Sequence, residues 1–214
     1  MKKYYAFYIP FLIYIIIMMV LLLWYSKVEL HLILTSVHTP FLDLFFKYFT
    51  EIGGAVPYFV AAVLLFYSYR MTVFILLTQL FTSLLSVLLK TYLHRPRPFL
   101  YFSEHFPQFH LYRVPGVKLY LMNSLPSGHT ITAFAFFLAL TFYTSKKYLH
   151  FLYFFMAVLV GYSRIYLSQH FALDVLLGSL IGFVVTFLAR MYVEYRPISW
   201  GAGSLSDLIN RKKI

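Results

Sequence analysis

Gly161-Tyr-Ser-Arg-Ile-Tyr-Leu-Ser-Gln-His-Phe-Ala-Leu-Asp174 lies between two long apolar runs, and it puts Ser163, Arg164, His170 and Asp174 at their junction. Polar groups gathered between apolar runs mark the place where a chain turns at the mouth of a membrane. His170 and Asp174 are four residues apart and share one face of a helix, so the carboxylate can orient the imidazole and make it more basic. Arg164, six residues before His170, supplies a fixed cation for an anionic group. Taken alone, the stretch reads equally well as a helix–helix turn with a solvated salt bridge.

Composition points the same way as the flanking runs. Of 214 residues, 61% are hydrophobic and 12% charged, against roughly 25% charged in an ordinary soluble domain. The 24 Phe and 20 Tyr fit lipid-facing helices with aromatic belts at the interface. With no cysteine, a disulfide framework, a thiolate metal site and a cysteine nucleophile are excluded. The net charge of +11 has no soluble basic face to sit on. It therefore reads as topology signals and anion binding rather than a nucleic-acid partner, and no obligate protein partner is evident.

Outward from the junction, the apolar runs predict an all-α, polytopic membrane protein of six spans in a bundle, forming one domain over residues 1–214. The first span runs from Tyr4 to Tyr25; it is too long for a signal h-region and lacks a small-residue cleavage site. Pro40 to Thr50 predicts a short helix lying in the interface, ended by Gly53-Gly54. The second span is expected from about Ala55 to Tyr69, the third from Met71 to Lys90, and the fourth from Pro126 to Thr144. The fifth follows from Leu149 to Leu167 and the sixth from Phe171 to Val193, with a polar, cytoplasmic tail over 197–214. Between the third and fourth spans, Arg95-Pro96-Arg97-Pro98 forbids helix continuation. The connector 99–125 is then too long to be a mere link.

Charge gives the orientation. Ten Lys and Arg fall on the side of the N-terminus and eight on the other; setting aside Lys90, Arg97 and Arg164 as functional leaves ten against five. This favours both termini in the cytoplasm and the polar junctions on the extracytoplasmic (periplasmic) face of an inner membrane. The alternation also brings Lys90, Arg97, Ser127, Gly128, His129, Arg164, His170 and Asp174 to one side of the bundle.

These residue types suit phosphoryl chemistry. Pro126-Ser-Gly-His129 opens a helix; Ser127 is placed to cap it, and the free N–H groups of its first turn attract anions. Lys90, Arg97 and Arg164 add three cations, which suits the charge spread over a transferring phosphoryl group. His170, oriented by Asp174, is placed to attack phosphorus, and His129 to protonate the leaving oxygen and then deprotonate water. That division needs His170 neutral and His129 protonated. The other histidines, His31, His38, His94, His105, His110 and His150, read as ordinary solvated side chains. A zinc site at His170 and Asp174 lacks a third ligand at useful spacing.

The three motifs together resemble the type-2 phosphatidic acid phosphatase superfamily, which includes membrane lipid phosphatases and soluble vanadium haloperoxidases. Lys90, six residues and Arg97-Pro98 match its first motif; Pro126-Ser-Gly-His129 its second; and Ser163-Arg164, five residues, His170, three residues, Asp174 its third. His38-Thr-Pro-Phe-Leu-Asp-Leu44 to Thr50-Glu-Ile-Gly53 also looks like the family's region before its second span. The resemblance implies six helices and hydrolysis of a phosphate ester or diphosphate through phosphohistidine, with no metal or other cofactor. It also implies Lys90, Arg97 and Arg164 on the phosphate, with Ser127 and Gly128 donating hydrogen bonds. The expected substrate is a lipid phosphate: undecaprenyl diphosphate, phosphatidylglycerol phosphate, phosphatidic acid or a lipid A phosphate. A lipid phosphotransferase would share the first half-reaction. From another class, an anion transporter would place its polar groups near the bilayer midplane, not at helix ends.

Overall fold

The computed structural model describes residues 2–194 and 203–211, and the regular structure in them is all helical. The helices are α1 (Tyr5–Trp24), α2 (Lys27–Leu34), α3 (Pro40–Phe49), α4 (Val56–Leu64), α5 (Tyr69–Leu93), α6 (Pro98–His105), α7 (Gly128–Phe142), α8 (Lys147–Tyr166), α9 (Ala172–Glu194) and α10 (Leu205–Arg211). Four of them, α1, α5, α8 and α9, are long and apolar enough to cross a membrane, and α7 is a shorter apolar helix of 15 residues. This is an all-α, multi-pass membrane protein.

Helix α7 is the centre of the bundle. Its Ala133, Phe134, Ala135, Leu138 and Ala139 are fully buried, because α5, α8 and α9 pack around it. Small residues let the backbones close up. Asp174, Gly178 and Gly182 recur at four-residue spacing along one face of α9. A Cβ at Gly178 would stand 2.8 Å from the Ser127 carbonyl oxygen, and one at Gly182 would stand 2.5 Å from that of Ile131. Without a hydrophobic drive between helices in lipid, such close backbone contact is the main source of cohesion. Helix α1 lies outside this core, with Ile9, Leu12, Ile13 and Ile16 more than half exposed. Much of the aromatic excess nevertheless faces inward: Phe7 and Phe134 are fully buried, and the Phe11 and Phe183 rings stack at 4.2 Å.

The second expected span is the main departure from the sequence reading. Helix α4 has nine residues, about 14 Å at ~1.5 Å per residue, less than half of a ~30 Å hydrocarbon core. Pro57 sits in its first turn. The apolar run that follows is broken because Ser68 leaves helical geometry to cap α5, its side chain accepting from the Met71 N–H. The connector also differs, since its start, with Pro98 before it, forms the eight-residue helix α6; Pro98 stands at the helix start, where a missing N–H costs nothing. Of the predicted tail, 203–211 falls within the described residues and the rest lies outside them. Its helix α10 docks on the α4–α5 turn, with Leu205 N–H donating to the Leu65 carbonyl at 2.9 Å and Ser206 Oγ to that of Phe66 at 2.8 Å.

The bundle has two unlike ends. One gathers the start of α1, the α4–α5 and α7–α8 turns and α10; there Tyr4 packs on Phe142 and His150, and His150 Nε2 donates to the Thr144 carbonyl. The other carries α2, α3, α6, the connector 106–123 and the turn between α8 and α9.

Candidate active site

The second end brings all eight sequence-predicted residues together. The N-terminus of α7 is fastened to the start of α9, the Ser127 N–H donating to the Asp174 carbonyl at 3.0 Å. Ser127 is the N-cap residue, but its hydroxyl does not cap the helix as expected. It accepts instead from Thr130 Oγ1 at 2.8 Å, so the first-turn N–H groups are not taken up by this side chain. Beside it, a Cβ at Gly128 would stand 3.3 Å from Lys90 Nζ. The glycine thus brings bare backbone up to the ammonium group at the end of α5.

The two arginines are buried and held by different means. Arg97 Nε donates to the Met122 carbonyl at 2.9 Å, and its backbone N–H to that of Leu121 at 2.8 Å. Its Nη1 reaches Gln169 Oε1 at 3.1 Å, and its guanidinium stands 5.2 Å from the Tyr120 ring. Arg164, in the last turn of α8, donates through Nη1 to Thr50 Oγ1 at 2.8 Å, and its Nε has no hydrogen-bond partner. A buried guanidinium with an orphan donor is poised for an anion.

His170 follows a residue in left-handed conformation, Ser168 (φ +49°), and its N–H donates to the Arg164 carbonyl at 3.1 Å. Its Nδ1 stands 3.5 Å from Asp174 Oδ2, close enough to pair but without a formed hydrogen bond. That oxygen accepts from Ser124 Oγ at 2.5 Å and from the Phe171 N–H at 2.9 Å. Burial, reinforced by Arg97 and Arg164 and opposed by Asp174, pushes the His170 imidazole down to about 3. The ring is therefore neutral at physiological pH, as a nucleophile must be. His129, the second residue of α7, is pushed well below the ordinary imidazole range by burial and by Arg164, His170, Lys90 and Arg97, against the expectation that it is protonated. With Arg164 it lines a cavity of about 310 Å³, bounded also by Thr50, Glu51 and residues of the connector.

Several partners were not visible as site residues in the sequence. Ser124 and Gln169 hold Asp174 and Arg97, and Thr50 holds Arg164, each from a distant part of the chain. Only Thr50 had a signal, through the likeness of 38–53 to the family's region before its second span. Replacing Ser124 by alanine removes a hydrogen bond to a charged group; kcat is expected to fall roughly 10- to 100-fold with KM little changed.

Three histidines read as solvated are not. His38 pairs through Nδ1 with Asp43 at 3.0 Å and packs on Tyr112 and Tyr166. His31 is 1% exposed, shares a hydrogen bond with Ser168 Oγ at 3.2 Å and packs on Phe102 and Phe171; His150 is fully buried. Burial lowers His31 to about 4. Both His31 and His170 stay neutral in the fold but take up a proton near 6.5 once unfolded. The unfolded chain then binds more protons, so stability falls as pH drops from about 6.5 toward 3–4. Thermal unfolding in detergent is expected to show this slope, and His31→Gln to flatten it.

An all-helical membrane bundle whose end holds three cations beside two histidines defines a class of anion-handling membrane proteins. The chain belongs to the PAP2 superfamily, whose family model matches residues 69–198. It is 39% identical over 75 residues to an undecaprenyl-diphosphatase from Sulfolobus acidocaldarius, covering 35% of this chain and 36% of that protein. It is 40% identical over 80 residues to phosphatidylglycerophosphatase B from Bacillus subtilis, covering 33% of this chain and 39% of that one. The matched stretch thus spans a little over a third of each relative. The crystal structure of LpxE from Aquifex aeolicus superimposes with a TM-score of 0.67 at 28% identity, over 77% of this chain and 94% of LpxE. A PAP2 type phosphatidylglycerolphosphate phosphatase from Bacillus subtilis gives 0.63 at 25% identity, over 93% of this chain and all of that one (100%).

Proposed function

We propose that this protein is a membrane-embedded, metal-independent phosphatase that hydrolyses a phosphomonoester or diphosphate of a lipid through a phosphohistidine at His170. The observation that carries this reading is the meeting of Lys90, Arg97 and Arg164 with His129 and His170 at the open N-terminus of α7. In this reading the three cations and the Ser127 and Gly128 region hold the phosphoryl oxygens. His170 attacks phosphorus through Nε2, with Asp174 facing Nδ1. His129 gives a proton to the leaving oxygen and then takes one from the water that cleaves the N–P bond.

Six spans complete the proposal, with α4 and its preceding turn as a short second crossing and α3 as an interfacial helix. Both termini then lie in the cytoplasm and the site on the extracytoplasmic face of the inner membrane. Support comes from the two ends of the bundle, since the start of α1 and α10 lie opposite the site, and from the charge alternation. The relatives named above add weight to a lipid phosphate as substrate.

The test is phosphate release by detergent-solubilised protein from a panel of lipid monophosphates, polyprenyl diphosphates and lipid A. At least one lipid should be hydrolysed at a rate unaffected by chelator. Release from none of them, or activity restored only by added metal, would overturn the proposal.

A further inference from the structure

The three cations around α7 do not exhaust the positive charge at the site. The cavity that His129 and Arg164 line is also bounded by Lys47, Lys118 and Tyr120. Lys47 projects from α3; its Nζ donates to the Pro115 carbonyl at 3.1 Å and packs against Gly116, which has φ +73° and no room for a side chain on that face. Lys118 is tied to the site through Gln169, whose Nε2 donates to the Lys118 carbonyl at 3.1 Å while its Oε1 accepts from Arg97. The Tyr120 ring carries both cations, Arg97 at 5.2 Å and Lys118 Nζ at 5.1 Å. Three lining cations thus face one lining carboxylate, Glu51. Like charges gathered around one cavity repel each other, and an anion that fills it offsets that repulsion.

The proposed chemistry says which part of the substrate lies there. His129 lines this cavity and a smaller one of about 260 Å³ against α4 and α5, whose lining holds no Lys, Arg, Asp or Glu; on the reading of His129 as leaving-group acid, an anionic leaving group occupies the first. We propose that Lys118 and Lys47 form a second anion subsite, built for a leaving group that is itself a phosphate, so that this enzyme favours lipid diphosphates over lipid monophosphates. The inference rests on the phosphatase reading of the same site. In the first step, His170 Nε2 bonds to the terminal phosphorus and the bridging P–O bond breaks. Its electron pair goes to the oxygen of the departing lipid monophosphate. Lys118 and Lys47 stabilise that charge, and His129 supplies the proton. Water then attacks phosphorus and gives a proton to His129; the N–P bond breaks with its electrons returning to His170, and inorganic phosphate leaves.

The test compares wild type with Lys118→Ala, Lys47→Ala and the double variant, using a polyprenyl diphosphate and phosphatidic acid as paired substrates. For the double variant, kcat/KM on the diphosphate is expected to fall roughly 10- to 100-fold further than on phosphatidic acid. Lys118→Arg is expected to recover most of the difference. Inhibition by methylene diphosphonate should weaken by a similar factor, while inhibition by inorganic phosphate weakens less; this serves if turnover by the double variant is too low to measure. Equal losses on both substrates, or unaltered discrimination between the two inhibitors, would overturn the subsite while leaving the phosphatase reading intact. Wild-type release from phosphatidic acid but not from the diphosphate would likewise overturn the subsite, whereas release from no lipid of the wider panel would overturn the phosphatase reading itself.

Discussion

Replacing His170 by alanine is expected to lower phosphate release by at least about four orders of magnitude, since removal of a nucleophile leaves only binding and electrostatic stabilisation. The ring lies 1% exposed between the end of α8 and the start of α9, with Asp174 facing its Nδ1. The second readout is covalent: rapid quenching with labelled substrate should trap an acid-labile, base-stable phosphate on the wild type and none on the variant. Near-normal turnover by His170→Ala, or an unchanged label, would end the phosphohistidine proposal. A fall in thermal stability alone would not mimic this result, because the label is scored per folded molecule.

The largest structural effect is expected at Gly182. A Cβ there meets the Ile131 carbonyl oxygen at 2.5 Å and the Ala135 nitrogen at 3.1 Å, both backbone atoms of α7 that cannot step aside singly. Gly182→Ile must push α9 from α7, at a cost of about 3 kcal/mol or more for overpacking. The displacement runs along α9 to Asp174, whose carbonyl holds the Ser127 N–H, so activity should fall with stability. Val184→Ile, on the exposed face of the same helix, is the control and should change neither. A melting temperature unchanged by Gly182→Ile would mean that α7 and α9 do not pack as described.

How much of this was legible before the structure depends on which physical signal each part leaves in the chain. Helix α1 begins and ends within a residue of the expected span, because a helix exposed to lipid on most sides must be apolar throughout its length. Helix α4 was read as too long because the apolar run continues past its end at Leu64, and only Ser68, which caps the start of α5, marks the break. Arg95-Pro96-Arg97-Pro98 was read as forbidding helix continuation, and α5 does end at Leu93; what the reading missed is that Pro98, at a first helical position, starts α6. The eight motif residues were legible because spacing alone puts them at span ends. Their holders were not: Ser124 meets Asp174 across 50 residues and Thr50 meets Arg164 across 114, and no local pattern encodes either. His31 and His150 were missed for the same reason, since nothing in the neighbouring sequence shows that a single histidine will be enclosed.

Arg97 is held largely by main chain, through the carbonyl groups of Leu121 and Met122. Main-chain carbonyls survive any change of side chain. The outward-facing letters of the connector can therefore change without moving the guanidinium. A laboratory can make such changes: libraries randomised at exposed connector positions should yield altered preference far more often than dead protein.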